Sequence, residues 1–92
     1  MTATVRIPTP LRSATDGAAT VGVDGTTVGE VLRSLDAAHP GVAGRILDDS
    51  GGKVRRFVNV FVDDEDIRFA GGLETAVPDG ATVSIIPAVA GG

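Results

Sequence analysis

Apolar and polar positions alternate at the start of the chain. Thr4-Val5-Arg6-Ile7-Pro8 is rich in β-branched residues at a period of two, which predicts a strand. Asp16-Gly17 marks a turn, and Ala19-Thr20-Val21-Gly22-Val23 predicts a second strand, paired antiparallel with the first across a long, loose loop. The period then becomes helical. Thr27-Val28-Gly29-Glu30 is a capping-box pattern, with Thr27 as N-cap and Glu30 at the third helical position. Val28, Val31, Leu32, Leu35 and Ala38 recur at three- and four-residue spacing and give the helix one apolar face. Pro40-Gly41 ends it, since proline cannot continue a helix and glycine relaxes the exit.

A short helical turn is expected between Val42 and Leu47, followed by the polar loop Asp48-Asp49-Ser50-Gly51-Gly52. Phe57-Val58-Asn59-Val60-Phe61-Val62 is the strongest strand signal. Phe57, Asn59 and Phe61 face one way and the three valines the other. Asp63-Asp64-Glu65-Asp66 reads as an acidic turn, Ile67 to Phe69 as a short edge strand, and Leu73 as a residue dropping into the core. Pro78-Asp79-Gly80 turns the chain into the last strand, Thr82-Val83-Ser84-Ile85-Ile86-Pro87. Ala88-Val89-Ala90-Gly91-Gly92 has no periodicity. The order hairpin, helix, strand, short strand, strand predicts an α+β roll. One main helix packs across a mixed sheet whose first and last strands run parallel at the centre. The expected organisation is a domain over residues 1–87 and an extended tail over 88–92.

Composition narrows the chemistry. At 92 residues the chain is one domain by default, with little spare core for a catalytic pocket. It has no cysteine, which excludes disulfides, thiolate metal sites and Cys nucleophiles. A net charge of −4 repels phosphate backbones, and three phenylalanines are the only aromatics available for base stacking, so nucleic acid is not an expected ligand. No basic-then-apolar leader opens the chain and no apolar run approaches the ~18 residues of a membrane span. A cytoplasmic protein without membrane contact is expected.

The single histidine, His39, has no second histidine near it and suits a helix end rather than a metal. No Gly-x-Ser-x-Gly elbow is present, and the internal Gly-Gly pairs lack the spacing and lysine of a phosphate loop. The acidic run Asp63 to Asp66 lacks the spacing of a calcium loop and reads as a solvated turn, with a role in matching a basic partner as its functional alternative. Neither a metal nor a resident cofactor is expected.

That leaves the C-terminus. Its base follows directly from the last strand, and from Ala88 to Gly92 it reaches roughly 17 Å. Ala88, Val89, Ala90 and Gly91 are small and uncharged, which suits threading through a narrow channel. Gly91 and Gly92 have no Cβ, so another protein's active site can approach the backbone closely. The terminal carboxylate is ionised at neutral pH and is a nucleophile toward the α-phosphate of ATP when an enzyme aligns the two. A glycine-rich end is otherwise ordinary fraying.

Several blocks together resemble the ubiquitin-like sulfur carriers of the ThiS and MoaD type, and within them the actinobacterial CysO branch. They are Arg56-Phe57-Val58-Asn59-Val60-Phe61-Val62, Asp64-Glu65-Asp66-Ile67-Arg68-Phe69, Gly71-Gly72-Leu73, Asp79-Gly80 and Ile86-Pro87-Ala88-Val89-Ala90-Gly91-Gly92. Ile7-Pro8-Thr9 and Leu11-Arg12 agree as well. The resemblance covers the whole chain and is strongest from Arg56 onward. It implies a ubiquitin-like β-grasp fold and a carrier without catalytic groups of its own, monomeric when free.

By that resemblance an E1-like adenylyl- and sulfurtransferase adenylates the Gly92 carboxylate, and a sulfur donor converts it to a thiocarboxylate. The sulfur passes to a pyridoxal-phosphate-dependent cysteine synthase acting on O-phosphoserine, with a zinc metallopeptidase releasing the product. Thiosugar synthase, molybdopterin and thiamin routes are the related destinations. Phe57, Phe61, Asp64, Glu65 and Asp66 are the candidate partner surface, with core as the other reading of the two phenylalanines. Two other readings stand beside this one: a protein modifier conjugated through Gly92, and a non-catalytic ubiquitin-like interaction domain.

Overall fold

The computed structural model describes residues 2–47, 54–55 and 58–87. Phe57 and the five tail residues Ala88 to Gly92 lie outside them. Helix α1 (Val28–Ala38) begins where the capping pattern places it: Thr27 is extended, and its Oγ1 accepts from the Glu30 backbone N at 3.2 Å. The reciprocal half of the box reaches one residue further back than the pattern implies. Glu30 Oε1 accepts from the backbone N and the Oγ1 of Thr26, at 2.9 and 2.8 Å, and not from Thr27. The helix ends at Ala38 with His39 as C-cap, and Gly41 then takes φ +98°, a turn that favours glycine.

Strands β1 (Thr2–Arg6) and β2 (Thr20–Asp24) form the expected antiparallel hairpin, Val5 opposite Val21. Their connection is not a loose loop. It contains a 3-10 helix over Thr9–Thr15, anchored by the fully buried Thr15, whose Oγ1 donates to the carbonyls of Arg12 and Ala18. A one-turn helix α2 (Ala43–Ile46) follows α1. Strands β3 (Val58–Val62), β4 (Glu65–Asp66) and β5 (Thr82–Pro87) complete a five-stranded sheet of order β2-β1-β5-β3-β4. β1 and β5 are parallel neighbours at its centre, with Val5 beside Val83. The edge strand lies earlier than the sequence suggests. Glu65 and Asp66 pair with Val62 and Phe61, while Ile67–Phe69 is a 3-10 turn that drops Ile67 into the core.

One sheet face meets α1. Val5, Val28, Val31, Leu32, Leu35, Val42, Ile46 and Val83 are fully buried there, each worth about 1.5–3 kcal/mol by removal from water. Leu73 is half-buried against this cluster rather than within it. Gly25 lets the chain enter α1 closely: a Cβ there would lie 2.8 Å from both the Val31 backbone N and its Cγ2. The opposite face carries Thr4, Arg6, Thr20, Gly22 and Ile86 exposed, and no layer covers it among the described residues. No helix of the described residues is long and apolar enough to cross a membrane.

Candidate functional site

β5 places the base of the tail. It is hydrogen-bonded on both sides, to β1 and to β3, and Pro87, its last residue, stands opposite Val58. A segment leaving the chain at Pro87 therefore starts from the middle of the sheet rather than from a fraying edge.

Strand alternation decides what surrounds that point. Val58, Val60 and Val62 of β3 are buried against the helix side. Asn59 and Phe61 therefore lie on the open face, both half-buried. Phe61 is half-buried and is not a member of the buried core. On β5, Ser84 and Ile86 share that face, and Ile86 is 48% exposed. Phe69, which carried no functional reading in the sequence beyond its family block, is 88% exposed on the turn after β4.

The acidic run divides into two kinds of residue. Asp63, at φ +55°, locks the start of β5: its N donates to the Thr82 carbonyl at 2.7 Å, and its Oδ1 accepts from the Thr82 N at 3.1 Å. Asp66 caps the following turn by accepting from the Arg68 N at 2.9 Å. Asp64 and Glu65 are exposed. His39 Nδ1 lies 3.9 Å from Asp16 Oδ2, a contact between the helix end and the β1–β2 connection. Among the described residues no three His, Cys, Asp or Glu side chains are grouped to hold a metal.

Sequence reading did not single out a groove of about 380 Å³ at the foot of the tail. Arg6, Thr9, Arg12, Thr20, Ser84 and Pro87 line it. Its signal in the sequence was slight: an arginine on the polar face of β1 and another six residues later. Only the parallel pairing of β1 with β5 brings them beside Pro87.

The chain matches the ThiS family over residues 5–92. It is 52% identical to the sulfur carrier protein CysO of Mycobacterium tuberculosis, with the whole of both chains aligned. It is 46% identical over 69 residues to small archaeal modifier protein 3 of Haloferax volcanii, covering 75% of this chain and 73% of that one. A chain of the solved BexX/CysO complex of Amycolatopsis orientalis superposes with a TM-score of 0.91 at 48% identity, covering 98% of this chain and 99% of that one. A five-stranded mixed sheet with one helix across it, the ubiquitin-like β-grasp arrangement, is common to them. On its sequence, its sheet order and these likenesses, the chain belongs to the ThiS family, the ubiquitin-like sulfur carriers.

Proposed function

We propose that this protein carries sulfur on the carboxylate of Gly92, in the manner of CysO. The observation that carries the reading is the position of Pro87, the end of a central strand five residues before the C-terminus. A rigid base and a small-residue tail of roughly 17 Å suit delivery of a carboxylate into another protein's active site. The full-length likeness to a sulfur carrier supports the same reading.

The chemistry divides between carrier and enzyme. An oxygen of the Gly92 carboxylate attacks the α-phosphorus of ATP in an E1-like enzyme, and pyrophosphate leaves. The acyl carbon of the resulting adenylate is then electrophilic. A sulfide sulfur attacks it, AMP departs with one of the original oxygens, and a thiocarboxylate remains. The enzyme supplies orientation and charge stabilisation. The carrier supplies reach, through the glycines and small residues of 88–92, and recognition through its folded part. Phe61 and Ile86 on the open sheet face, with Asp64 and Glu65 at its edge, are the recognition surface proposed here; Phe57 belongs to the proposal from its sequence position alone. That the Amycolatopsis CysO forms a complex with BexX supports docking of a second protein.

The sulfur acceptor proposed first is a pyridoxal-phosphate-dependent cysteine synthase, with a zinc metallopeptidase freeing the product; a thiosugar synthase is the alternative acceptor. The likeness to an archaeal modifier protein favours one further reading, conjugation of Gly92 to lysines. Intact mass spectrometry after incubation with ATP, the activating enzyme and sulfide tests both. A mass gain equal to sulfur replacing oxygen, located in the C-terminal peptide, supports the carrier. Lysine-linked adducts in cell extract with no such gain support the modifier.

A further inference from the structure

We propose that the groove at the foot of the tail is a docking site for an acidic side chain of the activating enzyme, whose carboxylate is held between Arg6 and Arg12. This rests on the carrier reading above and names a contact that reading does not require.

The first ground is charge. The protein carries twelve acidic residues against eight basic ones, yet its fold gathers two arginines at one groove. Among the described residues neither has an ion-pair partner. Hydroxyl-bearing Thr9, Thr20 and Ser84 line the same groove, beside Ile7 and Ile85.

The second ground is preorganisation. Arg12 is half-buried in the 3-10 helix, and its Nε donates to the Ile7 carbonyl at 3.1 Å. That bond orients the planar guanidinium while leaving its terminal nitrogens without a partner among the described residues. Such a fork matches a carboxylate in two-point geometry and loses little side-chain freedom on binding it. Arg6 is exposed at the end of β1, opposite Ser84, and adds a second positive charge at the rim.

The third ground is position. Pro87 both ends β5 and lines the groove. An enzyme that holds Gly92 at its reaction centre has its tail channel open within roughly 17 Å of Pro87, which brings the rim of that channel near the groove. An aspartate or glutamate on the rim then meets the two arginines as the tail enters. The contact guides the carboxylate end toward the channel and fixes the angle of entry.

The test is the Kd of the full-length protein for its E1-like activating enzyme, measured by calorimetry without ATP so that nucleotide phosphates are not the anion. Arg6→Glu is expected to raise Kd by about tenfold, with the difference shrinking as salt rises. Arg6→Lys restores most of the affinity. Arg33→Glu, the same charge change on the exposed flank of α1, is expected to stay within about twofold of wild type. Arg12→Ala should also weaken binding, and a thermal melt shows whether that variant remains folded. Equal weakening by Arg6→Glu and Arg33→Glu, no change with Arg6→Glu, or no binding by the wild type overturns the proposal. The mass measurement on wild-type protein judges the carrier reading separately: a normal gain of sulfur with Arg6→Glu binding unchanged removes the groove contact alone.

Discussion

Phe61 and Ile86 are diagonal neighbours across the β3–β5 pair, with Phe61 opposite Ser84 and Ile86 opposite Asn59. Both point away from the helix, because the residues that alternate with them, Val60, Val62 and Ile85, fill the core. A diagonal of this kind lies within reach of an aromatic ring. Single exposed apolar residues are ordinary; here the exposed Ile86 adjoins the half-buried Phe61 and gives a small apolar patch near the end of β5.

If that diagonal is the apolar centre of the interface, Phe61→Ala and Ile86→Ala should each raise the Kd for the activating enzyme by about tenfold or more. Ile86→Ala should change unfolding free energy by less than about 1 kcal/mol, since nearly half the side chain is already in water. Calorimetric binding alongside urea unfolding separates the two effects. A double variant with unchanged affinity removes this patch from the interface.

Glu30 gives a prediction about pH. Its carboxylate accepts from the Thr26 backbone N and then from the Thr26 hydroxyl, and these bonds hold its pKa below the ordinary glutamate value. Desolvation opposes the shift, and the Arg33 charge adds a smaller push in the same direction as Thr26. With the folded pKa depressed, the contribution to stability is complete above the unfolded-state pKa and is lost as pH falls through the folded one. A carbon-detected titration of the Glu30 carboxyl should find its midpoint below that of glutamate in an unfolded peptide. Glu30→Gln should make the acid-side loss of stability shallower. A midpoint at or above the ordinary value would mean that the Thr26 bonds do not persist in solution.

Helix α1 was legible because cap and stripe agreed, and the parallel centre of the sheet followed from placing the first and last alternating runs in a roll. The 3-10 helix at Thr9–Thr15 was not legible. It has no apolar period, and what holds it is the burial of Thr15 and two carbonyl bonds to that hydroxyl. The edge strand was misplaced because Ile67 looks like a strand residue by type, whereas the Asp66 cap turns the chain inward one residue earlier. For the site, alternation assigned Phe61 to the face opposite the valines but did not say which face α1 covers. The arginine groove joins residues 6 and 12 to residues 84–87, and such a juxtaposition exists only once the β1–β5 register is known.

The close approach at Gly25 is a second test of the fold. A Cβ there would meet the Val31 backbone N at 2.8 Å, and a backbone atom cannot swing aside as a side-chain tip does. Gly25→Ala should therefore destabilise the protein by about 1–3 kcal/mol, seen as a lower urea midpoint at unchanged slope. Gly22→Ala is the matched control, because a Cβ at Gly22 has nothing within 4 Å. It should be neutral or stabilising by up to about 1 kcal/mol, through the reduced freedom of the unfolded chain. Equal losses from both changes would point to a general intolerance of the segment 22–25 rather than to the contact with Val31.

Removing Gly91 and Gly92 separates fold from function most directly. Among the described residues the buried cluster runs from Ala3 to Ile85, so the shortened protein should unfold at the wild-type urea midpoint. Its new terminus, at Ala90, is two residues short of the α-phosphate that the full tail is proposed to meet. Misplacement by even ~1 Å is enough to cost about 100-fold in a positioned reaction, so ATP–pyrophosphate exchange should fall by at least that factor. Replacing Gly92 by leucine should have a similar effect, through a Cβ where the backbone must be approached closely. Binding of the shortened protein to the enzyme without ATP should persist, because the open sheet face and the arginine groove are intact. Exchange at the wild-type rate would instead mean that the enzyme acts on a different group, and the Gly92 carboxylate would no longer be the site of sulfur loading.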